Sequence, residues 1–451
     1  MYRGGWYRKI RPQATNFNFR PHTMKIIINP PRSEWRELLK RPAFDHAELE
    51  TAVMTVLQEV KQYGDKAVLA FTEKFDGVML NDLVVTQTEI TEAENALSDA
   101  LKSAIRQAKQ NIFAFHEKQL HPAEKVSTMP GVECWRRSVG IDKVGLYIPG
   151  GSAPLFSTVL MLGIPAVIAG CKEIVLCTPP GKNGKIHPAI LFAAKEAGIT
   201  SICKAGGAQA IAALAYGTET IPSVYKIFGP GNQYVTCAKQ LVQRDGVAID
   251  MPAGPSEVCV LADETANATY VAADMLSQAE HGADSQVLLV STSTTIARAV
   301  ISEVENQLKV LPREAIAKKA LANSKAIVVA NMDEAIALVN EYAPEHLIIS
   351  CADDEMIGEK ITNSGSVFLG NYSPESVGDY ASGTNHTLPT NGYAKAYSGV
   401  SVDSFVKKIT YQKLSRDGLH AIANTVIHMA EAEGLQAHAN AVKVRMSDLK
   451  S

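Results

Sequence analysis

Short apolar stretches alternate with helix-like segments between residues 142 and 263. Each apolar stretch is followed by a turn that contains Gly or Pro, and then by a segment of helical composition. Strands that are apolar throughout and are separated by helices are typical of a parallel sheet covered on both faces. The pattern predicts an α/β unit whose strands contain K-V-G-L-Y-I, E-I-V-L-C-T, S-I-C-K and Y-K-I-F.

The same alternation resumes after residue 263. A helix ending in L-S-Q-A-E-H-G precedes strand Q-V-L-L-V-S, and strands A-I-V-V-A, H-L-I-I-S and S-V-F-L-G follow with helices between them. The chain thus predicts a second α/β unit. Residues 45–120 are mostly amphipathic helix with a short strand or two, and residues 401–451 are expected to be helices that end in a basic tail.

Six loops combine Gly or Pro with polar side chains, which lets the backbone approach a ligand closely. In open parallel sheets, ligands bind beyond the carboxyl ends of the strands. We therefore expect a ligand site at those ends, formed by Y-I-P-G-G-S, K-A-G-G-A-Q, F-G-P-G-N-Q, M-P-A-G-P-S-E, Y-A-P-E-H-L and G-D-Y-A-S-G-T-N-H.

Composition narrows the class of protein. The chain has 451 residues, of which 46% are hydrophobic and 20% charged, as in ordinary globular proteins with two or more domains. The net charge of −3 gives no reason to expect a nucleic-acid or anionic-membrane partner. No apolar run reaches the roughly 18 residues of a membrane-spanning helix. Seven scattered cysteines without a C-x-x-C motif are typical of reduced thiols in the cytoplasm.

Residues 1–23 differ from the rest because they contain five Lys or Arg residues and no acidic residue. They lack the apolar core of a secretory signal. We predict a disordered basic extension there.

Gln278 and His281 are candidates for a metal site. They are three residues apart near the end of a predicted helix, so both side chains lie on one face, and Gly282 suits the position after a helix end. An amide oxygen and an imidazole form half of a site for a divalent metal with nitrogen and oxygen ligands. Taken alone, the pair also suits a surface or helix cap. Asp379 could supply an anionic ligand, although an Asp after Gly also suits a turn.

Glu345 and His346 are candidates for acid–base chemistry. They stand in A-P-E-H-L at the entrance to a predicted strand. An imidazole is the usual general base near neutral pH, and a carboxylate can activate water. An edge histidine beside a solvated glutamate is the structural alternative.

Three familiar motifs are incomplete. Ser256 does not fit the G-x-S-x-G motif of a hydrolase nucleophile. His116-Glu117 is followed by Leu120, where a zincin helix would need its second His. The stretch from Gly229 to Asn232 resembles part of a dinucleotide fingerprint but lacks the third Gly.

Taken in order, seven motifs resemble the histidinol dehydrogenase family from about residue 40 to the end of the chain. They are G-L-Y-I-P-G-G-S-A-P-L-F-S-T-V-L-M, G-G-A-Q-A-I-A-A-L-A-Y-G-T, F-G-P-G-N, I-D-M-P-A-G-P-S-E, L-S-Q-A-E-H-G, Y-A-P-E-H-L and G-D-Y-A-S-G-T-N-H-T-L-P-T.

The resemblance implies an enzyme that oxidises L-histidinol to L-histidine through an aldehyde, with one Zn²⁺ per subunit and two NAD reduced. It implies Glu345 and His346 as bases, with zinc ligands Gln278, His281, Asp379 and His438 and NAD contacts Tyr147, Gln209 and Asn232. The implied substrate contacts are Ser256, Gln278, His281, His346, Asp379, Glu433 and His438. Manganese or cobalt also suits such nitrogen and oxygen ligands.

The expected fold is two incomplete Rossmann-like parallel-sheet domains with small N- and C-terminal helical segments. We place a helical segment at 24–44, the first α/β domain at 45–146 and 258–400, the second, NAD-side domain at 147–257, and a dimerisation segment at 401–451. The resemblance also implies a homodimer with intertwined C-terminal segments, in which Glu433 and His438 serve the other subunit's site.

Two other classes of function remain at this point. A zinc-dependent hydrolase could use Glu345 to activate water, but it would not need the loops that carry Tyr147, Gln209 and Asn232. A catalytically silent metal-binding protein would not need the two adjacent bases.

Overall fold

The computed structural model describes residues 24–41, 46–150, 153–199, 201–252 and 254–448. The basic extension predicted for residues 1–23 lies outside this part of the chain. The described residues form two parallel sheets with helices on both faces, and a smaller antiparallel sheet.

The helices are α1 Arg32–Leu38, α2 His46–Tyr63, α3 Asp65–Asp76, α4 Gln87–Ala96, α5 Asp99–Glu117, α6 Phe156–Ile168, α7 Pro188–Ala197, α8 Gly207–Tyr216, α9 Gln233–Arg244, α10 Ala268–Ala279, α11 Thr294–Leu308, α12 Glu314–Ala322, α13 Met332–Tyr342, α14 Asp354–Gly358, α15 Glu375–Tyr380, α16 Arg416–Ala432 and α17 Gln436–Asp448. Two short 3₁₀ helices cover Tyr393–Lys395 and Val402–Phe405.

The strands are β1 Lys25–Ile28, β2 Lys125–Met129, β3 Val132–Gly140, β4 Lys143–Tyr147, β5 Glu173–Thr178, β6 Ser201–Lys204, β7 Lys226–Phe228, β8 Ala248–Ile249, β9 Glu257–Ala262, β10 Gln286–Ser291, β11 Lys325–Val328, β12 His346–Ser350, β13 Ser366–Leu369 and β14 Val406–Leu414.

The five-stranded sheet has the order β6-β5-β4-β7-β8, and its strands are parallel. The chain runs from β4 toward one edge and then returns to place β7 on the other side of β4. The strand order therefore reverses between β4 and β7, where a crevice opens at the carboxyl ends of the strands.

The six-stranded sheet has the order β1-β11-β10-β9-β12-β13, and it is also parallel. Strands β9 and β12 are neighbours, and His346, the first residue of β12, lies opposite Val258, the second residue of β9. In a parallel sheet, each connecting helix runs back toward the amino ends of the strands. The ends of α10 and α13 consequently lie at the same edge as the starts of β9 and β12.

Four buried apolar clusters cover the faces of the two sheets. Helices α2, α3, α8 and α9 cover one face of the five-stranded sheet, and α4 to α7 cover the other. Helices α10 to α12 cover one face of the six-stranded sheet, and α1, α13 and α14 cover the other. The strands are buried on both sides, which explains why they are apolar throughout.

The two predicted parallel-sheet units are confirmed. The terminal segments, however, carry strands besides the expected helices. Segment 24–44 begins with β1, which extends the six-stranded sheet, and segment 401–451 contains β14, which pairs antiparallel with β3.

The packing of α2 to α5 differs from the grouping expected for residues 45–146. Their apolar faces lie on the five-stranded sheet, rather than on the six-stranded sheet formed mainly by residues 257–369. Amphipathic periodicity shows that a helix has a buried face, but not which sheet covers that face.

No helix in the described ranges is both long and apolar enough to cross a bilayer. All seven cysteines are free thiols, and Cys177, Cys203, Cys259 and Cys351 are buried.

Candidate active site

A cavity of about 1260 Å³ lies at the carboxyl ends of the five-stranded sheet. Tyr147, Gln209 and Asn232, the three predicted cofactor contacts, all line it. They come from the end of β4, the first turn of α8 and the loop after β7, as the position of the strand reversal requires. Sequence analysis therefore located one shared cavity from three separate loops.

The polar groups of this cavity fit a ligand with negative charge. Helices α8 and α9 begin beside it, and the amino end of a helix attracts anions. Asn232 caps α9 by accepting hydrogen bonds from the amides of Tyr234 (3.0 Å) and Val235 (3.2 Å). Lys74, Lys182 and Lys185 also line the cavity.

The Gln209 amide is the strongest sign that the cavity holds a polar ligand. Its side chain is buried, and neither its oxygen nor its nitrogen has a partner among the described residues. Buried polar groups are nearly always paired in folded proteins, because an unpaired one costs about 1–3 kcal/mol. The hydroxyl of Tyr147, by contrast, accepts a hydrogen bond from the Gly207 amide at 3.1 Å.

A buried ion pair holds the loop after β7. The Asp250 carboxylate accepts a hydrogen bond from the Gly229 amide at 2.8 Å, and Lys239 donates to the Gly229 carbonyl at 2.9 Å. Lys239 and Asp250 also pair with each other. Gly229 has φ +125°, and a Cβ there would lie 2.0 Å from the Tyr147 carbonyl oxygen. Only glycine fits so close an approach. The incomplete dinucleotide fingerprint therefore marks a tight contact between the loop after β7 and the end of β4.

Glu345 and His346 lie at the amino ends of parallel strands, whereas the cavity lies at carboxyl ends. Glu345 immediately precedes β12 and His346 begins it, at the amino ends of the six-stranded sheet, and both side chains are buried. The expectation that all six Gly- and Pro-containing loops lie at carboxyl ends is therefore wrong for A-P-E-H-L, which follows a helix and leads into a strand. M-P-A-G-P-S-E connects the carboxyl end of β8 to the amino end of β9.

Three carboxylates surround the His346 ring. Its Nδ1 lies 3.6 Å from Glu375 and 3.7 Å from Glu345, and its Nε2 lies 3.5 Å from the Asp379 carboxylate. Burial disfavours the charged imidazole, but these carboxylates outweigh burial and hold the pKa of His346 well above its usual range. The Glu257 carbonyl lies 3.2 Å from Nδ1 and fixes the ring's orientation.

The carboxylates themselves titrate unusually. Burial raises the pKa of Glu345 and that of Glu375 to about 8. Burial also opposes the charge of Asp379, but the facing His346 ring outweighs it and lowers the pKa of Asp379. Adjacent carboxyl groups in one site thus prefer different protonation states, which is a common feature of acid–base sites.

The predicted ligands Gln278, His281 and Asp379 come together at this edge. Gln278 is in the last turn of α10, and the helix ends three residues before Gly282 rather than at it. His281 follows the helix and is exposed to solvent on one side. Enough protein surrounds its ring that desolvation lowers its pKa, although the nearby Asp379 charge acts in the opposite direction.

Several buried polar atoms here have no partner among the described residues. They are both polar atoms of the Gln278 amide, the Nε2 of His346, one oxygen of Asp379 and one of Glu375. Ligand atoms of His346, Glu375 and Asp379 all lie within 4.8 Å of one another. Unpaired imidazole, amide and carboxylate groups in such proximity fit a divalent cation.

Segment 385–386 connects this site to the five-stranded sheet. His386 Nδ1 lies 2.8 Å from the Asp379 carbonyl oxygen, and its Nε2 lies 3.0 Å from the hydroxyl of Thr158 in α6. Asn385 donates to the Met161 carbonyl, also in α6, at 2.6 Å. The loop after β4 borders the cavity and leads into α6. Helix α6 therefore supports both the cavity and the site around His346.

The remaining predicted contacts are placed differently. Ser256 immediately precedes β9 and is therefore close to Glu345, which accepts a hydrogen bond from the Glu257 amide. Glu433 and His438 lie near the turn between α16 and α17 and are exposed. No hydrogen bond or ion pair within the described residues joins them to Gln278, His281 or Asp379.

Sequence analysis missed Glu375, Asp274 and His386. Glu375 precedes Asp379 by four residues, so helical spacing could have shown that both carboxylates share a face of α15. Asp274 has the same spacing from Gln278 on α10. His386 had no such signal, because its role depends on contacts with α6.

Comparison with known proteins identifies relatives of the chain. A sequence model of the histidinol dehydrogenase family matches residues 39–446. The histidinol dehydrogenase of Bacteroides thetaiotaomicron is 61% identical over 427 residues, covering 95% of this chain and 100% of the relative. That of Aliivibrio fischeri is 53% identical, covering 94% and 97%. A crystal structure of histidinol dehydrogenase from Elizabethkingia anophelis is 56% identical and has a TM-score of 0.93, covering 95% and 99%.

Asp274 provides a test of the electrostatics behind the site. Burial raises the pKa of its carboxyl group from 3.8 to about 7. A raised carboxyl pKa means that the folded state retains a proton that the unfolded state loses, so stability falls between pH 4 and pH 7. Asp274→Asn removes this titration. We expect the free energy of unfolding of the variant, relative to that of the wild type, to rise by about 2–4 kcal/mol between pH 4 and pH 7 and then level off.

Thermal unfolding of both proteins between pH 4 and pH 9 measures this difference. A melting-temperature difference that is constant with pH would show that Asp274 titrates normally.

Proposed function

Because the chain belongs to the histidinol dehydrogenase family, we propose that it oxidises L-histidinol to L-histidine through L-histidinal and reduces two NAD. The proposal includes one zinc ion per subunit and a cytoplasmic location, which the free thiols favour. Its main support is the cluster of unpaired buried polar atoms around His346.

Gln278, His281 and Asp379 would hold the zinc ion, together with His438 of the partner subunit. This ligand set contributes one negative charge, so the site keeps a net positive charge and accepts further ligands. The bound ion would orient the imidazole and amino nitrogens of the substrate. Such positioning supplies at best about 7–11 kcal/mol of barrier reduction.

Tyr147, Gln209 and Asn232 would bind NAD in the cavity of the five-stranded sheet, within the proposed NAD-side domain 147–257. The helix amino ends and lysines there suit a pyrophosphate, and the unpaired Gln209 amide suits a polar ring substituent. Bound NAD would accept hydride in both oxidations. Gly229 and the Lys239–Asp250 ion pair, instead of a complete glycine fingerprint, hold the loop that brings Asn232 to the cavity.

His346 is the proposed base for the first oxidation. It must be neutral to accept the proton of the alcohol, whereas the surrounding carboxylates favour its charged form. Glu375 and Glu345 raise the pKa of His346 most, but with pKa values of about 8 they would carry little charge at neutral pH. A cation held by Asp379 would offset the remaining charge. His346 would then be neutral, and its Nε2, unpaired among the described residues, could receive the proton.

Glu345 is the proposed base for the second oxidation, in which water adds to the aldehyde. With a pKa raised to about 8 by burial, its carboxyl group becomes a base as the pH rises through 8. A buried carboxylate is also a stronger base than one in water. Two adjacent bases therefore divide two different proton transfers.

We also propose a homodimer in which Glu433 and His438 complete the partner's site. Both residues are exposed and lie apart from the other ligands of their own chain. Ser256, Gln278, His281, His346 and Asp379 would provide the remaining substrate contacts.

The function itself is tested by stoichiometry and by metal removal. Purified enzyme with limiting histidinol should form two NADH per histidinol, measured by absorbance. Chelation to undetectable metal should abolish turnover, and added zinc should restore it. Full turnover by protein shown to be metal-free would contradict the zinc proposal. Consumption of histidinol without formation of NADH would contradict the proposed dehydrogenase activity.

Glu345→Gln and His346→Gln should separate the two oxidations. We expect His346→Gln to slow the first about 10²–10⁴-fold. Glu345→Gln should let the aldehyde accumulate, so that the yield falls from two NADH per histidinol toward one. In the wild type, the rate of histidinal oxidation should rise between pH 7 and pH 9 as Glu345 loses its proton. The variant should not show this rise. Glu341→Gln, an exposed change on α13, is the control. Equal loss of both steps in Glu345→Gln would contradict the division of roles.

Shared sites predict complementation between inactive subunits. His281→Ala and His438→Ala should each be inactive. After subunit exchange in an equal mixture, about half of the dimers should be mixed, each with one intact site, which restores about a quarter of wild-type activity. A mixture of His281→Ala and Gln278→Ala should stay inactive, because both changes lie in the same half of the site. No recovery despite demonstrated exchange would contradict shared sites.

A further inference from the structure

Arg41 forms a two-point ion pair with a glutamate far away in the chain. Its Nε lies 2.5 Å from one oxygen of Glu257, and its Nη2 lies 2.8 Å from the other. The side chains are only 15% and 3% exposed. A guanidinium that matches both carboxylate oxygens fixes orientation as well as charge, which an ammonium group does not.

The backbone of Glu257 contacts both proposed bases. Its amide donates to a Glu345 carboxylate oxygen at 2.8 Å, and its carbonyl oxygen lies 3.2 Å from His346 Nδ1. One peptide segment thus sets the position of Glu345 and the orientation of the His346 ring. The Glu257 side chain, which Arg41 holds, anchors that segment and also accepts the Asn391 amide at 2.7 Å.

Arg41 also holds the turn that leads into the two bases. Its Nη2 donates to the carbonyl of Tyr342 at 2.8 Å and approaches that of Ala343 at 3.4 Å. Its guanidinium carbon lies 4.1 Å from the centre of the Tyr342 ring. Ala343 has φ +52°, a left-handed conformation that a non-glycine residue keeps only when its surroundings enforce it.

We propose that Arg41 and Glu257 are positioning residues for the bases Glu345 and His346. Arg41 lies after α1, outside both the cavity and the group of proposed zinc ligands. It reaches the bases from two sides, through Glu257 and through the turn at residues 342–343. The inference rests on the proposed function, because it assigns the pair a role in that reaction.

Four variants test this role: Arg41→Lys, Arg41→Ala, Glu257→Gln and the double variant Arg41→Ala/Glu257→Gln. A misplacement of reacting groups by about 1 Å can cost about 100-fold in rate. We expect kcat for histidinol to fall about 10- to 100-fold in both alanine-containing variants, while KM for NAD and zinc content stay within twofold. Arg41→Lys, which keeps the charge but loses the two-point match, should retain an intermediate kcat.

The double variant separates positioning from charge balance. Arg41→Ala leaves a buried carboxylate unpaired and should lower the melting temperature, whereas the double variant leaves no unpaired charge and should recover it. If the pair positions the bases, kcat stays low in the double variant despite restored stability. Recovery of kcat together with stability would overturn the inference.

A more exposed arginine–glutamate pair, whose glutamate also contacts Lys109, provides the control. Arg106 binds Glu196 at 3.0 Å and lies 5.3 Å from the Phe192 ring, between α5 and α7. Arg106→Ala and Arg106→Ala/Glu196→Gln should leave kcat within twofold. Equal loss of kcat in the Arg106 and Arg41 series would overturn the inference. Wild-type enzyme that forms no NADH from histidinol would instead overturn the proposed function, and this inference with it.

Discussion

The burial of His346 among three carboxylates is the constraint on which the site depends. Glu345, Glu375 and Asp379 all lie within 3.7 Å of its ring nitrogens. Such a group is costly to bury, because the carboxylates repel one another and several polar atoms have no partner among the described residues. A bound cation and a polar substrate would relieve both. The groups that are costly to bury are therefore those that would bind the ligands.

The two sheets contribute opposite edges to one function. The five-stranded sheet uses the carboxyl ends of its strands, where helix amino ends face a cavity. The six-stranded sheet uses its amino ends, where α10 and α13 end and β9 and β12 begin. An edge rich in helix amino ends suits an anionic cofactor, and an edge with helix carboxyl ends suits a cation. The difference between the edges thus matches the difference between the proposed ligands.

The sequence predicted local structure and local pairs well. Apolar strands separated by helices predicted both parallel sheets, and the loops with Tyr147, Gln209 and Asn232 converge on one cavity as expected. The prediction placed Glu345 and His346 at the wrong edge of the sheet. The rule that ligands bind beyond the carboxyl ends of strands was applied to a motif that stands at the start of a strand. Local spacing would have been sufficient to find Glu375.

Long-range contacts were not predictable in this way. Arg41 lies 216 residues from Glu257, and no periodicity relates the two. The same holds for His386, whose partners are Thr158 and the Asp379 backbone. These contacts depend on how the two sheets pack. The pattern of apolar and polar residues does not encode that packing. The proposed substrate contacts stand in motifs, whereas the residues proposed to position them are found only in the fold.

In the proposed dimer, the C-terminal hairpin would connect assembly with catalysis. Helices α16 and α17 pack against each other, and α16 also contacts β14, which pairs with β3. Met429, Leu435 and Val444 on the hairpin are 62%, 45% and 48% exposed. Exposed apolar side chains on a segment that also carries His438 suit a surface that is covered by another subunit. One association would then bury the apolar side chains and bring an imidazole to a site whose Gln278 amide has no partner among the described residues. The proposed ligand set would thus be completed only in the dimer.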